Sequence, residues 1–232
     1  MKARGIKTTI ILFIVLVVPV IGYLLLKTGT NHYIALPIYG ERYAEEKVID
    51  GNTVVDTVYH TIGDFEFTNQ NGETVSSKSL EGKIKIVDFF FVDCKTICPK
   101  MSTQMQRVQD KVKTVNEIVI LSHTVNPEAD SVSVLKRYAT EYGAIDNKWH
   151  FLTGNKKDIY EIARKGYLVN ALQGDGGPDD FIHTELFVLV DHKNRIRGLY
   201  DGTSKEAVDT LIDEIKVLMK QEILGEGRKK RF

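Results

Sequence analysis

Phe89-Phe90-Phe91-Val92-Asp93-Cys94-Lys95-Thr96-Ile97-Cys98-Pro99-Lys100-Met101 joins the end of an apolar run to the start of a helical pattern. Upstream, residues 84–92 read as a continuous apolar strand, the type buried on both faces of a sheet. Downstream, Pro99 suits the first turn of a helix. Met101, Met105, Val108, Val112 and Val115 then recur at spacings of four and three, one face of an amphipathic helix. The chain holds two cysteines in all, and both sit at this strand-to-helix junction. Two close thiols have few uses: a reversible disulfide, a soft metal site, or both in turn.

Working outward, Phe65-Glu66-Phe67-Thr68 alternates, Asn71-Gly72 is a hairpin turn signal, and Thr74-Val75 resumes the strand pattern. After the cysteine helix, residues 117–121 read as a strand, 130–142 as a helix and 149–152 as a short strand. Residues 156–165 read as a helix stopped by Gly166. A turn-rich loop at 174–180 precedes a hairpin of strands 186–190 and 196–200, and a last helix covers 204–223. Hairpin, then βαβα, then ββα is the order of an α/β thioredoxin-like domain with an N-terminal β-hairpin extension. In such sheets the site lies beyond the carboxyl ends of the strands, which is where Cys94 falls.

The predicted compartment comes from the N-terminus. Lys2, Arg4 and Lys7 precede an uncharged run at residues 8–26, roughly 28 Å as a helix and so matched to a bilayer core. No small-x-small cleavage site follows it, and no cysteine stands near its end to accept a lipid. The expectation is a single transmembrane helix, with its basic end in the cytoplasm. The rest would face the periplasm or extracytoplasmic space, where disulfides persist; a cleaved signal peptide is the alternative. The division expected is a cytoplasmic tip and anchor at 1–26, a linker or irregular lead-in at 27–60 with a short strand near 48–59, the thioredoxin-like domain at 61–224, and a basic tail at 225–232. Thirty-one basic and 31 acidic residues cancel, so no global field points to nucleic acid. Arg228-Lys229-Lys230-Arg231 reads as a solvated terminus.

Free cysteines are often merely buried small hydrophobes, but two at one junction in an oxidising compartment argue against that. A structural bridge across four residues would remove little chain entropy and stabilise weakly. The redox dithiol of thioredoxins is Cys-x-x-Cys; here a third residue intervenes, which suits a loop holding a metal between two thiolates. Such soft donors favour Cu(I) or Zn and need a third ligand. Of six histidines, His32 and His60 lie in the lead-in, His192 in a hairpin turn and His150 in a mixed strand. His123 ends the strand after the cysteine helix and is a weaker candidate for approaching the site. His183 is the stronger one: it follows the glycine-rich loop and directly precedes the strand at 186–190, whose start would face the cysteine loop.

These residues carry a resemblance to the Sco/SenC family of membrane-anchored, thioredoxin-like copper proteins. The match runs from Phe65-Glu66-Phe67-Thr68-Asn69-Gln70-Asn71-Gly72 through Leu80-Glu81-Gly82-Lys83 to Cys94-x-x-x-Cys98-Pro99-x-Met101. It continues in Asn126-Pro127-Glu128-x-Asp130-Ser131, Leu135-Lys136-x-Tyr138 and Trp149-x-Phe151-Leu152-Thr153-Gly154. His183-Thr184 and Leu189-Val190-Asp191 close it. The resemblance implies copper, as Cu(I) or Cu(II), bound by Cys94, Cys98 and His183, and a metallochaperone role in maturing the copper A centre of cytochrome c oxidase. It also implies a copper-accepting oxidase subunit or other copper-site protein as partner, and the membrane. Where the family commonly has Cys-Pro-Asp-x-Cys, this chain has Lys95 and Thr96, with Asp93 before the first cysteine; Asn126 replaces an aspartate and Thr184 a serine. The alternative is a thiol–disulfide oxidoreductase, Cys94 attacking and Cys98 resolving, served by a thioredoxin-like reductant. Peroxidase-like thiol chemistry is a third use that the fold hosts.

Overall fold

The computed structural model describes residues 12–24, 35–49, 52–169 and 184–229. Two compact units separate between Ile34 and Ala35. In the first, helix α1 covers residues 12–24. Among the described residues no helix is long and apolar enough to cross a membrane; both ends of the uncharged run at 8–26 lie outside them.

The second unit begins with a full hairpin where the sequence reading expected an irregular lead-in with one short strand near 48–59. Strands β1 (Arg42–Ile49) and β2 (Asn52–Tyr59) pair antiparallel along their whole length as a separate two-stranded sheet. The signal was present: Asp50-Gly51, a favoured two-residue hairpin loop, stands between the paired Ile49 and Asn52. It was hidden because the strands are exposed on both faces, so no buried-face alternation marks them.

The main sheet has seven strands in the order β4-β3-β7-β6-β5-β8-β9. Strands β3 (Glu66–Asn69) and β4 (Thr74–Ser76) form the expected hairpin. Gly72 turns it at φ +78°, a left-handed conformation that favours glycine. Strands β5 (Ile84–Phe90), β6 (Ile118–Thr124) and β7 (Trp149–Thr153) run parallel, and β8 (Leu186–Val190) and β9 (Ile196–Asp201) follow antiparallel.

Strand parity divides the core. Ile84, Ile86 and Phe90 of β5 join one cluster, while Val87 and Phe89 join the other, because successive side chains leave a strand on opposite faces. The first face is covered by α2 (Cys98–Val112), α3 (Val132–Glu141) and α5 (Lys205–Lys229). Met101, Met105, Val108 and Val112 are buried there, as their spacing requires. The second face is covered by α4 (Lys156–Glu161) and the π-helical turn Ile162–Gly166 that continues it. Asn155 caps α4, its side chain accepting from the N–H groups of Lys157 and Asp158.

Candidate functional site

Chain geometry sets the two thiols at the end of the first face. β5 stops at Phe90, the segment from Phe91 to Ile97 turns over the sheet end, and Cys98 starts α2. Two contacts steady that turn: the Val92 N–H donates to the Asp130 carboxylate at 3.2 Å, and the Val125 N–H donates to the Phe90 carbonyl at 2.8 Å. Asp130 also accepts from the Thr124 hydroxyl. The Asn-Pro-Glu-x-Asp segment therefore braces the cysteine loop from β6, a role that its sequence did not disclose.

Both cysteines are unbridged and buried, with Cys94 7% and Cys98 2% exposed. The Cys94 N–H donates to Phe91 O at 3.2 Å. The Cys98 N–H, first in α2, donates to Cys94 Sγ at 3.4 Å, and Thr96 Oγ1 stands 3.8 Å from the same sulfur. An N–H at a helix N-terminus carries positive partial charge, so this arrangement favours thiolate at Cys94. Burial pushes the Cys94 thiol up, but donation from the Cys98 thiol, the Cys98 and Thr96 N–H groups and the Thr96 hydroxyl outweighs it and brings it down to about 7. Cys98 goes the other way: burial, reinforced by the Cys94 sulfur and by charge on Asp88, pushes it up to about 12. One thiol is poised to ionise near neutrality while its neighbour holds the proton.

Beneath the pair, a polar chain crosses the core. The Ser122 hydroxyl donates to Asp88 of β5 and accepts from Trp149 Nε1 at 2.8 Å. Burial raises Asp88 to about 7 against the Ser122 bond. The sequence reading passed over Asp88, although a lone carboxylate inside an apolar strand was the available signal.

His183 lies outside the described residues. Its neighbour Thr184 is buried, and β8 runs antiparallel to β5, so the start of β8 lies at the same end of the sheet as the cysteine loop. Among the described residues, no group of three or more His, Cys, Asp or Glu could hold a metal ion. Two soft sulfurs, one in the loop and one at the start of α2, suit a thiophilic ion.

His123 does not join the thiols. It projects from β6 onto the second face, fully buried among Phe65, Phe67, Phe89 and Tyr167, with ring centroids 5.3–6.1 Å away. Cys94 and Cys98 belong to the first face; odd strand parity sends His123 to the other side. The remaining histidines have local roles or none with the thiols: His60 Nε2 meets Gly166 O at 2.7 Å, His150 Nδ1 meets Asn69 Nδ2 at 3.4 Å, and His192 Nδ1 stands 2.6 Å from Glu222. His32 is outside the described residues.

Neither ring nitrogen of His123 has a hydrogen-bond partner among the described residues, which is costly for a buried polar group. His123→Phe is expected to raise stability by about 1–2 kcal/mol in urea unfolding at pH 7. Burial pushes the His123 imidazole down to about 3, whereas an unfolded histidine titrates near 6.5. Below about pH 6.5 the unfolded chain takes up a proton that the folded chain refuses, so wild type loses stability as pH falls toward 3. The advantage of the variant should therefore be larger at pH 5 than at pH 7; a constant difference would contradict this account.

Comparison with known proteins places this geometry. The SCO1/SenC family model matches residues 55–220. The SCO1 protein homolog of Bacillus subtilis is 34% identical over 168 residues, covering 72% of this chain and 86% of the relative. The structure of BsSco, described as a member of the Sco family of cytochrome c oxidase assembly proteins with a disulfide switch, superposes with a TM-score of 0.59 at 34% identity, over 68% of this chain and 93% of that one. Copper is bound in the structure of Arabidopsis thaliana ScoI, which is 27% identical with a TM-score of 0.55, over 68% of this chain and 98% of that one. The α/β thioredoxin-like fold is thus the Sco fold, and this chain belongs to the SCO1/SenC family.

Proposed function

We propose that this protein is a copper-binding assembly factor, a metallochaperone whose cargo is held by Cys94, Cys98 and His183 and passed to an oxidase subunit maturing its copper A centre. The observation that carries the reading is the pair of free, buried thiols, with the Cys98 N–H donating to Cys94 Sγ. They sit at the sheet end where the strand after His183 begins, in a family with a copper-bound relative. Cys94 offers thiolate near neutral pH; Cys98 must lose its proton on loading, so uptake releases a proton and weakens as pH falls. The uncharged run at 8–26 would anchor the chain in the cytoplasmic membrane, with the domain outside.

The test is anaerobic titration of the reduced full-length protein with Cu(I) and Cu(II), beside His183→Ala. Wild type should bind one copper tightly, and the variant should lose about 10²-fold in affinity, about one ligand's share of a multidentate site. Absence of tight copper binding by wild type overturns the reading.

A second reading rests on the contrast between the two thiols. A Cys94 thiolate attacks one sulfur of a partner's disulfide, forming a mixed disulfide and expelling the partner's other sulfur as a thiolate. Cys98 then gives up its proton and attacks Cys94 Sγ. The internal disulfide forms, the partner leaves with both cysteines reduced, and a thioredoxin-like reductant restores the pair. Reduction of a model disulfide that survives in His183→Ala and vanishes in Cys94→Ala would select this reading if copper binding fails.

A further inference from the structure

The β1–β2 hairpin forms no ladder with the main sheet. Tyr43, Val48 and Val55 are 63%, 74% and 63% exposed on it. A lone two-stranded hairpin is marginal in water; three or more strands are normally needed. The family match starts at residue 55, so β1 and the first part of β2 lie outside the matched residues.

The two free edges differ. The edge of β1 carries Arg42, Glu45, Glu46 and Lys47, the kind of charge that discourages strand pairing. β2, Asn-Thr-Val-Val-Asp-Thr-Val-Tyr, has one charge, no lysine, no proline and an unbroken register. The His60 N–H donates to the Glu41 carbonyl at 2.9 Å, which sets the phase of the antiparallel ladder. Even-numbered residues of β2 bond inward to β1, and Thr53, Val55 and Thr57 direct their amides outward. The Thr57 N–H agrees: it donates to the carboxylate of its own neighbour Asp56 at 2.8 Å.

We propose that β2 pairs edge to edge with β2 of a second copy, antiparallel about a two-fold axis with Val55 opposite Val55. This register pairs valine with valine and threonine with threonine on the face that carries Val55. Thr53 of each copy lies opposite Thr57 of the other, Val54 opposite Asp56, and Asn52 opposite Val58. Threonine and valine pairs of this kind are favourable, and no like charges meet. Sliding the register by two residues toward the C-terminus would set Asp56 against Asp56, and sliding by one would reverse the faces. The product is a four-stranded sheet β1-β2-β2-β1 with about six backbone hydrogen bonds across the seam, the Thr57 N–H of each copy exchanging its Asp56 carboxylate for a carbonyl of the other copy. Its face carrying Ala44, Val48, Val55 and Tyr59 continues across the axis.

Sedimentation equilibrium of the full chain in density-matched detergent, from about 1 to 100 μM, tests this. Wild type and Val55→Thr should dimerise, and Val55→Lys should dissociate at least about tenfold more readily because two ammonium groups meet at the axis. Val55 is exposed, so lysine fits the monomer, and far-UV circular dichroism should be unchanged. Directly opposed residues in such a pair are about 5.5 Å apart, within disulfide reach. In a Cys94→Ser, Cys98→Ser background, Val55→Cys should therefore oxidise to a covalent dimer far faster than Val54→Cys. A wild type that stays monomeric to 100 μM, as a strand meant for a different protein would leave it, overturns the proposal. So does a dimer equally stable in Val55→Lys, or equal cross-linking at 54 and 55.

Discussion

Cys94→Ser is expected to lower Cu(I) affinity by about two to three orders of magnitude while leaving the fold intact. A multidentate thiolate and imidazole site binds with roughly 10–16 kcal/mol, so one ligand among three or four is worth about 3–4 kcal/mol. A serine hydroxyl does not ionise near neutrality and is a hard oxygen donor, so it does not replace the sulfur. Structural damage should be small: Cys94 lies in a loop, and its sulfur accepts the Cys98 N–H, which serine oxygen also accepts. The same variant should lose thiol reactivity at neutral pH, because burial, the largest cause of the upward shift at Cys98, remains when Cys94 is replaced. Competition against a calibrated Cu(I) chelator reads the first effect and iodoacetamide labelling at pH 7 the second. Undiminished copper affinity in Cys94→Ser would remove Cys94 from the ligand set.

Asp191→Asn is expected to cost about 3–5 kcal/mol of folding stability, the penalty for leaving a buried charge uncompensated. Asp191 has no exposed surface and sits between Arg195 and Arg197, at 2.7 and 3.1 Å; the Arg197 side chain is itself 7% exposed. Its Oδ1 also accepts the N–H groups of Lys193 and Arg195, shaping the β8–β9 turn. Arg197 in turn donates to the carbonyls of Leu36 and Pro37, which tie the chain ahead of β1 to the domain. Burial alone would raise the Asp191 carboxyl, but hydrogen bonds and charge from Arg195 win and hold it below the usual carboxylate value. Its contribution is therefore complete above the unfolded pKa near 3.9 and is lost as pH falls through the lower folded value. Urea unfolding should show the full difference at pH 7 and a shrinking one below about pH 4. A cost under 1 kcal/mol at pH 7 would show that water reaches these arginines.

Much of the architecture was legible because local patterns and burial agree. The apolar run at 84–92, realised as a strand to Phe90, the Met101-Met105-Val108-Val112 stripe and the Asn71-Gly72 turn each have one tertiary solution, and the structure adopts it. Strand ends were displaced where pattern and pairing part company: β6 runs on to Thr124 because Ser122, His123 and Thr124 still pair with β5, although a polar run suggests a stop. β1 was not foreseen and β2 was expected as no more than a short strand near 48–59, because neither buries a face.

Cys94, Cys98 and the strand-to-helix junction were determined by the sequence alone, since two thiols, a proline and an amphipathic stripe at these spacings allow little else. His183 as a third ligand rests on sequence resemblance. The tertiary structure decided what spacing cannot carry. It excluded His123 by strand parity, braced the cysteine loop with Asp130 from the loop after β6, and divided the thiols into one near 7 and one near 12. Those effects depend on which face a side chain leaves and which N–H points at which sulfur, and both are set only when distant segments pack together.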